Sequence, residues 1–139
     1  MLWAMRGVAE LRNESTLCEN GISLRKRDIT DTASGAWSVF GIDLDGDGDT
    51  DVLSASYYDN TIAWYQNDGG SPPTFERKVI SESAIGAISV FAIDVDGDGD
   101  VDTVSASYSD DTIAWYENDG GSPPSFEKRI ITTSADGAY

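Results

Sequence analysis

The 139-residue sequence contains no histidine and only one cysteine, Cys18. Histidine is the commonest general base, a usual zinc ligand and the central member of Ser-His-Asp and Cys-His sites. Without it, most hydrolase mechanisms lose their natural candidate. A single cysteine cannot form an internal disulfide bond. The composition therefore favours a binding or scaffold protein that is not an enzyme.

Basic residues are also scarce, because 9 Lys and Arg stand against 25 Asp and Glu, a formal net charge of −16. Nucleic-acid binding requires a basic patch that neutralises phosphates, and acidic membrane surfaces repel such a chain. No stretch approaches the roughly 20 apolar residues of a membrane span. Residues 1–9 contain Arg6 and lack the cleavage site of a signal peptide. We therefore expect no nucleic-acid partner and no membrane span, and no signal peptide is visible.

What the sequence does contain is an internal repeat. Residues 43–69 and 94–120 align at an offset of 51 residues and are identical at 20 of 27 positions. The offset also relates Gly35 to Gly86, so it extends beyond the identical segment. Self-similarity at such a period is typical of solenoids and propellers.

Each unit predicts four short strands separated by turn residues. In the first unit they cover residues 37–42, 51–56, 61–66 and 74–80, which are rich in β-branched and aromatic residues. Four antiparallel strands in about 50 residues describe one β-propeller blade. We therefore predict an all-β fold of two four-stranded antiparallel blades with partial flanking repeats. It would be a fragment of a larger propeller or a partial propeller that self-associates.

This repeat divides the chain into five segments. Leu24–Ile29 resembles the fourth strand of the first unit, and Ala135–Tyr139 resembles the beginning of a unit at Ala84–Ile88. We predict an N-terminal extension over residues 1–23, the outer strand of a partial preceding blade and a linker over 24–36, blade 1 over 37–80, blade 2 over 81–131, and the start of a truncated third repeat over 132–139.

An aspartate-rich loop in each unit carries the clearest chemistry. Five alternating carboxylates in one turn repel each other unless they are protonated or share a cation. Calcium accepts about six to eight oxygen ligands in irregular geometry, whereas magnesium is smaller and stricter, and the intervening glycines let the backbone curl around an ion. We predict two Ca²⁺ sites with the ligands Asp43, Asp45, Asp47, Asp49 and Asp51, and Asp94, Asp96, Asp98, Asp100 and Asp102.

Within each loop, positions 1, 3, 5 and 9 are expected to bind through side chains, and position 7, Asp49 or Asp100, through its backbone carbonyl. The EF-hand is the obvious competitor, but it needs a glutamate at position 12 and a helix on each side. Position 12 is Ser54 or Ser105, and both flanks have the pattern of strands. The loop is therefore expected to connect two strands.

At these residues the sequence resembles the FG-GAP and VCBS repeat family, whose blades carry a DxDGDGxxD calcium loop between their first two strands, as in integrin α-subunit propellers. Residues 38–42 and 89–93 stand where that family has its FG strand, although Ala92 replaces the glycine in the second copy. The resemblance implies a propeller of several blades that serves adhesion or carbohydrate recognition outside cells or on their surfaces. It does not imply catalysis.

The resulting functional hypothesis is a calcium-binding module that binds an unknown protein or glycan, extracellularly or at the cell surface. The alternative is an accessory, non-catalytic propeller of a larger secreted enzyme. Further blades, or copies of the same chain in a homo-oligomer, would be needed to close a ring.

Aromatic and charged residues outside the loops are assigned by their place in the repeat. Residues 62–65 and 113–116 are expected to fill the core between blades. The basic residues on each fourth strand are expected to protect an outer edge from aggregation. The predicted exposed contacts are Trp37, Tyr58, Asp59, Asn60, Asp110 and Asp111.

Overall fold

The structure is a computed structural model that describes residues 17–19 and 22–138. In this part of the chain every regular element is a β-strand, and no helix is long and apolar enough to cross a membrane. The strands are β1 (Leu17–Glu19), β2 (Ile22–Leu24), β3 (Ala36–Ile42), β4 (Asp51–Ser56), β5 (Thr61–Asn67), β6 (Phe75–Ser81), β7 (Ala87–Ile93), β8 (Asp102–Ser107), β9 (Thr112–Asn118) and β10 (Phe126–Thr132).

Eight of these strands form two four-stranded antiparallel sheets in sequential order. Blade 1 has the order β3-β4-β5-β6, and blade 2 has the order β7-β8-β9-β10. Their bounds agree with the predicted strands to within one residue, because the strand segments are rich in β-branched and aromatic residues and the connections consist of turn residues. The described residues contain no closed barrel. The predicted fold class of two propeller-like blades is confirmed.

The predicted strand over residues 24–29 is wrong. Leu24 ends β2, which pairs with β1 in a short hairpin, and residues 25–30 form no strand. In the blades, the corresponding strand β6 forms because β5 offers it a row of backbone partners. The short strands β1 and β2 pair with each other instead, and the described residues contain no strand beside residues 25–30. Arg25, Lys26 and Arg27 are therefore exposed residues of an irregular segment.

The two blades repeat each other in register as well as in sequence. In blade 1, Phe40 lies opposite Leu53, which lies opposite Trp64. In blade 2, Phe91, Val104 and Trp115 form the same cross-strand row. Because side chains on opposed residues of neighbouring strands point to the same side of a sheet, each row marks one face of its blade. We call this the covering face.

The core lies where the covering face of blade 1 packs against β7, the first strand of blade 2. Leu53, Ile62 and Trp64 on the covering face are buried together with Val90 and Ala92 of β7. Burial of a large apolar side chain contributes roughly 1.5–3 kcal/mol. This contact holds the two sheets together.

The prediction that residues 62–65 fill the core is confirmed in blade 1, where all four are buried. In the second copy Ala114 and Tyr116 are buried, but Ile113 and Trp115 are only half-buried. The difference follows from position, because blade 1 lies on β7 and no described residue covers Trp115 to the same extent.

The fourth strands β6 and β10 are the outer edges of the blades. Their basic residues lie on the edges as predicted, and one from each strand also contacts a tryptophan ring. The ammonium group of Lys78 lies 5.0 Å from the ring centroid of Trp64, and the guanidinium group of Arg129 lies 5.6 Å from that of Trp115. Such contacts are cation–π interactions, worth about 0.5–1 kcal/mol at exposed sites.

A hydrogen-bonded clamp links each blade to the beginning of the next unit. Asn60, in the turn between β4 and β5, accepts the Ala84 N–H on its backbone carbonyl (3.0 Å) and the Gly86 N–H on its side chain (2.8 Å). Asp111 binds Ala135 (2.9 Å) and Gly137 (3.1 Å) in the same way. Asn60 and Asp111 have φ of 57° and 53°, a region that Asn and Asp adopt more readily than most residues. Residues 135–138 thus take the place that 84–87 take one unit earlier.

The core contact gives a prediction for Leu53→Ala. Leu53 is fully buried, so its truncation should lower the free energy of unfolding by about 2–5 kcal/mol. Ile29→Ala, an exposed residue outside the sheets, should change it by less than about 0.5 kcal/mol. Urea unfolding followed by tryptophan fluorescence measures both. Equal losses in the two variants would contradict this description of the core.

Candidate metal centre

The aspartate-rich loops, residues 43–50 and 94–101, connect the first two strands of each blade. Each loop is closed by a buried aspartate at the first residue of the second strand. The Asp51 carboxylate accepts the N–H of Leu44 (3.1 Å) with one oxygen and the N–H of Asn67 (2.8 Å) with the other. One side chain therefore joins the loop to the end of β5.

The second blade has the same arrangement around Asp102, which is also buried. Its carboxylate accepts the N–H groups of Val95 (3.0 Å) and Asn118 (2.8 Å). A buried carboxylate is unfavourable unless it is hydrogen-bonded and its charge is compensated. Backbone donors meet the first requirement here, and the second points to a cation.

The first aspartate of each loop shapes the turn. The carboxylate of Asp43 accepts the N–H groups of Gly46 (2.9 Å) and Gly48 (3.0 Å), and Asp94 binds the corresponding glycines of the second loop. Gly46 and Gly48 have φ of 74° and 96°, which a residue with a Cβ rarely adopts. The glycines thus let the loop fold back over its own first carboxylate.

Three carboxylates converge in each loop. Oxygen atoms of Asp43, Asp45 and Asp51 all lie within 4.8 Å of one another, and those of Asp94, Asp96 and Asp102 do the same. Among residues 25–138, no salt bridge joins any of these six side chains to a lysine or arginine. The ligand set consists only of oxygen, which suits a hard divalent cation such as Ca²⁺ better than a soft metal.

In each cluster, desolvation and repulsion between carboxylates raise the pKa of one aspartate. Partial desolvation, and then repulsion by Asp51 and Asp47, raise the pKa of Asp45 above its ordinary value. The pKa of Asp96 is raised for the same reasons, with desolvation as the largest cause and Asp98, Asp102 and Glu117 as repelling neighbours. A cation bound between the carboxylates would remove the repulsion.

The remaining loop aspartates lie outside these clusters. The Asp47 carboxylate accepts the Asp49 N–H (2.9 Å), and Asp98 binds Asp100 in the same way (2.9 Å). The side chain of Asp49 lies against Gly69 and leaves no room there for a Cβ. Asp47 and Asp98 remain predicted side-chain ligands, and Asp49 and Asp100 remain predicted backbone ligands.

Sequence reasoning missed the residues that support the cluster from β5. The side-chain amide of Asn67 donates to the carbonyl of Thr50 (3.0 Å), and that of Gln66 donates to Asp45. In blade 2 Glu117 replaces Gln66 and pairs with Arg129 instead. The recurrence of Asn67 as Asn118 at the offset of 51 was the available signal. The two carboxylate clusters therefore differ in one neighbouring residue.

A second loop beside each centre is built around Asp68 and Asp119. The Asp68 carboxylate accepts the Thr74 hydroxyl (2.6 Å), the Thr74 N–H (2.8 Å) and the Gly70 N–H (2.9 Å). These hydrogen bonds, led by that of the Thr74 hydroxyl, lower the pKa of Asp68 to about 2. Ser125 and Gly121 lower the pKa of Asp119 to about 2 in the same way.

Comparison with known proteins supports the repeat assignment. A family model described as an FG-GAP-like repeat matches residues 43–105, a range that contains both aspartate-rich loops. No curated protein and no solved structure matches the chain. The resemblance to FG-GAP repeats is thus confirmed for these residues.

The Asp68 loop gives a prediction on acid stability. A carboxylate whose pKa is lowered on folding stabilises the folded state above its unfolded pKa of about 3.8. That contribution is lost as the pH falls toward about 2. Asp68→Asn should therefore be less stable than the wild type at pH 7, and the difference should shrink as the pH falls from about 4 to about 2.

Thr74→Val is the matched variant for this test, because it removes the hydroxyl donor and keeps the carboxylate. Its loss of stability should also shrink over the same pH range. Urea unfolding at several pH values measures both differences. A difference for Asp68→Asn that is constant from pH 7 to pH 2 would contradict the role of the hydrogen bonds.

Proposed function

Because this chain carries FG-GAP-like repeats, we propose that it is a calcium-binding β-propeller repeat module that acts extracellularly or at the cell surface, where it binds a protein or carbohydrate ligand. The observation that carries the calcium assignment is the convergence of three carboxylates at the same place in both blades. One such cluster could be an ordinary acidic turn. Two clusters with the same hydrogen bonds to β5 support a common ligand.

In this proposal Asp43, Asp45 and Asp51 hold one ion, and Asp94, Asp96 and Asp102 hold the other. Asp47 and Asp98 would add side-chain oxygens, and the carbonyls of Asp49 and Asp100 would complete the set. Calcium tolerates such mixed oxygen ligands at about 2.3–2.6 Å. The ion would supply the charge that stabilises each loop, and we propose no catalytic role for it.

The ligand surface is proposed on the opposite end of the blades. Trp37, Tyr57, Ile88 and Tyr108 line an open apolar pocket of about 260 Å³ between blade 1 and blade 2. Trp37 and Tyr108 are exposed, and together with Tyr57 and Ile88 they form one apolar patch. Aromatic faces of this kind suit the apolar face of a sugar ring or an apolar side chain of a protein.

The calcium assignment predicts two binding sites per chain by titration calorimetry. Asp45→Asn and Asp96→Asn each remove one charged ligand from one cluster, so each variant should bind one equivalent of Ca²⁺ instead of two. The double variant should bind none. These residues are preferred to Asp51 and Asp102, whose carboxylates also hold backbone groups inside the protein.

Asp28→Asn is the control for charge, because Asp28 is exposed and lies outside both loops. It should leave two sites. Asp47→Asn tests the predicted ligand that lies outside the carboxylate cluster, and loss of one site would identify it as a ligand. Wild-type protein that takes up no calcium at millimolar concentration would refute the assignment.

Calcium removal should lower the thermal stability. A ligand that binds only the folded state contributes RT ln(1 + [L]/Kd). For a Kd of about 0.1 mM in roughly 2 mM calcium this is about 1.8 kcal/mol per site, or about 3.6 kcal/mol for two. Chelation should lower the melting temperature by on the order of 10 °C. Magnesium at the same concentration should restore little of the loss, and an unchanged calorimetric melting curve would contradict the proposal.

A further inference from the structure

The contact between the blades has two unlike sides. One side is the covering face of blade 1, formed by β3, β4 and β5. The other side is β7, the first strand of blade 2. The rings of Phe40 and Phe91 meet with centroids 4.8 Å apart, and the Val90 N–H donates to the Ser38 hydroxyl at 3.4 Å. The contact therefore joins the face of one blade to the first strand of the next.

Each side of this contact has an equivalent surface elsewhere in the molecule, and that surface is more exposed to solvent. The residues of β3 correspond to those of β7 at the offset of 51. Val90 is 5 % exposed under the covering face, whereas the corresponding Val39 is 68 % exposed. Ala87 is buried, whereas the corresponding Ala36 is exposed. The first strand of blade 1 thus carries the same apolar residues, but no blade among the described residues packs on them.

The covering face of blade 2 is also more exposed than its equivalent in blade 1. Leu53 and Trp64 of blade 1 are fully buried, but the corresponding Val104 and Trp115 are half-buried. Phe91 and Ile131 on this side of blade 2 are 50 % and 59 % exposed. Apolar residues gathered on one open sheet face mark an interaction surface.

We propose that a second copy of this chain docks on the first head to tail, with the covering face of blade 2 of one copy on β3 of the other. The two open surfaces are the counterparts of two surfaces that already fit each other inside the molecule. Residues 33–36 of the second copy would replace residues 135–138 of the first copy at Asp111, because both segments correspond to residues 84–87. The Ser89 hydroxyl would accept the N–H of Val39 of the second copy, as Ser38 does for Val90.

Such a contact is heterologous, because different surfaces meet, so each copy keeps one free surface of each kind until a ring closes. Propellers have about four to eight blades. With two blades per copy, closure requires about two to four copies. A closed ring would leave neither β3 nor the covering face of blade 2 exposed.

Sedimentation velocity and native mass spectrometry of the full chain in calcium test this inference. The wild type should have a mass of two to four times the 14.9 kDa of one copy. Val39→Glu blocks the first-strand surface, and Phe91→Glu blocks the covering face, so either variant alone should be monomeric. Ile131→Glu blocks the covering face away from the Phe40 contact and should give the same result. Circular dichroism and a cooperative urea unfolding transition verify that each variant is folded.

Mixing the variants distinguishes a head-to-tail contact from a symmetric one. Val39→Glu retains an intact covering face on blade 2, and Phe91→Glu retains an intact β3. Their equimolar mixture should form a complex with one copy of each and nothing larger. If two covering faces paired with each other, Val39→Glu alone would still associate, which would overturn the head-to-tail arrangement.

Val79→Glu is the matched control. Val79 is exposed in blade 1, and its counterpart Ile130 is also exposed in blade 2, so neither belongs to the contact between blades. This variant should associate like the wild type. A wild-type chain that stays monomeric up to about millimolar concentration would overturn the proposal. Other polypeptide segments would then be expected to cover β3 and the covering face of blade 2. Calcium stoichiometry is measured separately, so failure of one proposal leaves the other standing.

Discussion

The buried carboxylate at the start of the second strand is the constraint on which each blade depends. Asp51 binds the backbone of the aspartate-rich loop with one oxygen and the backbone at the end of β5 with the other. It therefore fixes the loop to β5. A neutral side chain of the same shape would lose charge-assisted hydrogen bonds, which are about twice as strong as neutral ones. One side chain thus holds the loop and the end of β5 against the start of β4.

This constraint also links the candidate metal centre to the core. Leu44, whose N–H binds Asp51, is itself buried in the contact between the blades. In the second copy the corresponding Val95 is exposed, although Asp102 makes the same pair of hydrogen bonds. The loop geometry is therefore set locally, and the burial of its apolar residue is set by the neighbouring blade.

Most of the fold and part of the centre could be predicted from sequence. The strands followed from β-branched runs bounded by turn residues, and the repeat placed Asp51 and Asp102 at equivalent positions. The repeat could not show that Trp64 is buried and Trp115 half-buried, because burial depends on whether a neighbouring blade packs on that face. The segment predicted as a strand over residues 24–29 had suitable residue types, but only Leu24 pairs with another strand. Asn67 was missed because its side chain acts through a long-range hydrogen bond to the Thr50 carbonyl.

The clamp at Asn60 and Asp111 has a consequence for how such a chain can change in length. It joins each turn to residues about 25 positions later, and it recurs at the same period as the duplicated sequence. A recombination event can insert or remove one whole repeat unit. If its break lies between two clamps, every turn still meets an equivalent segment to bind. A change in the number of units therefore requires no new kind of clamp, whereas a break out of phase separates a turn from the segment that it holds.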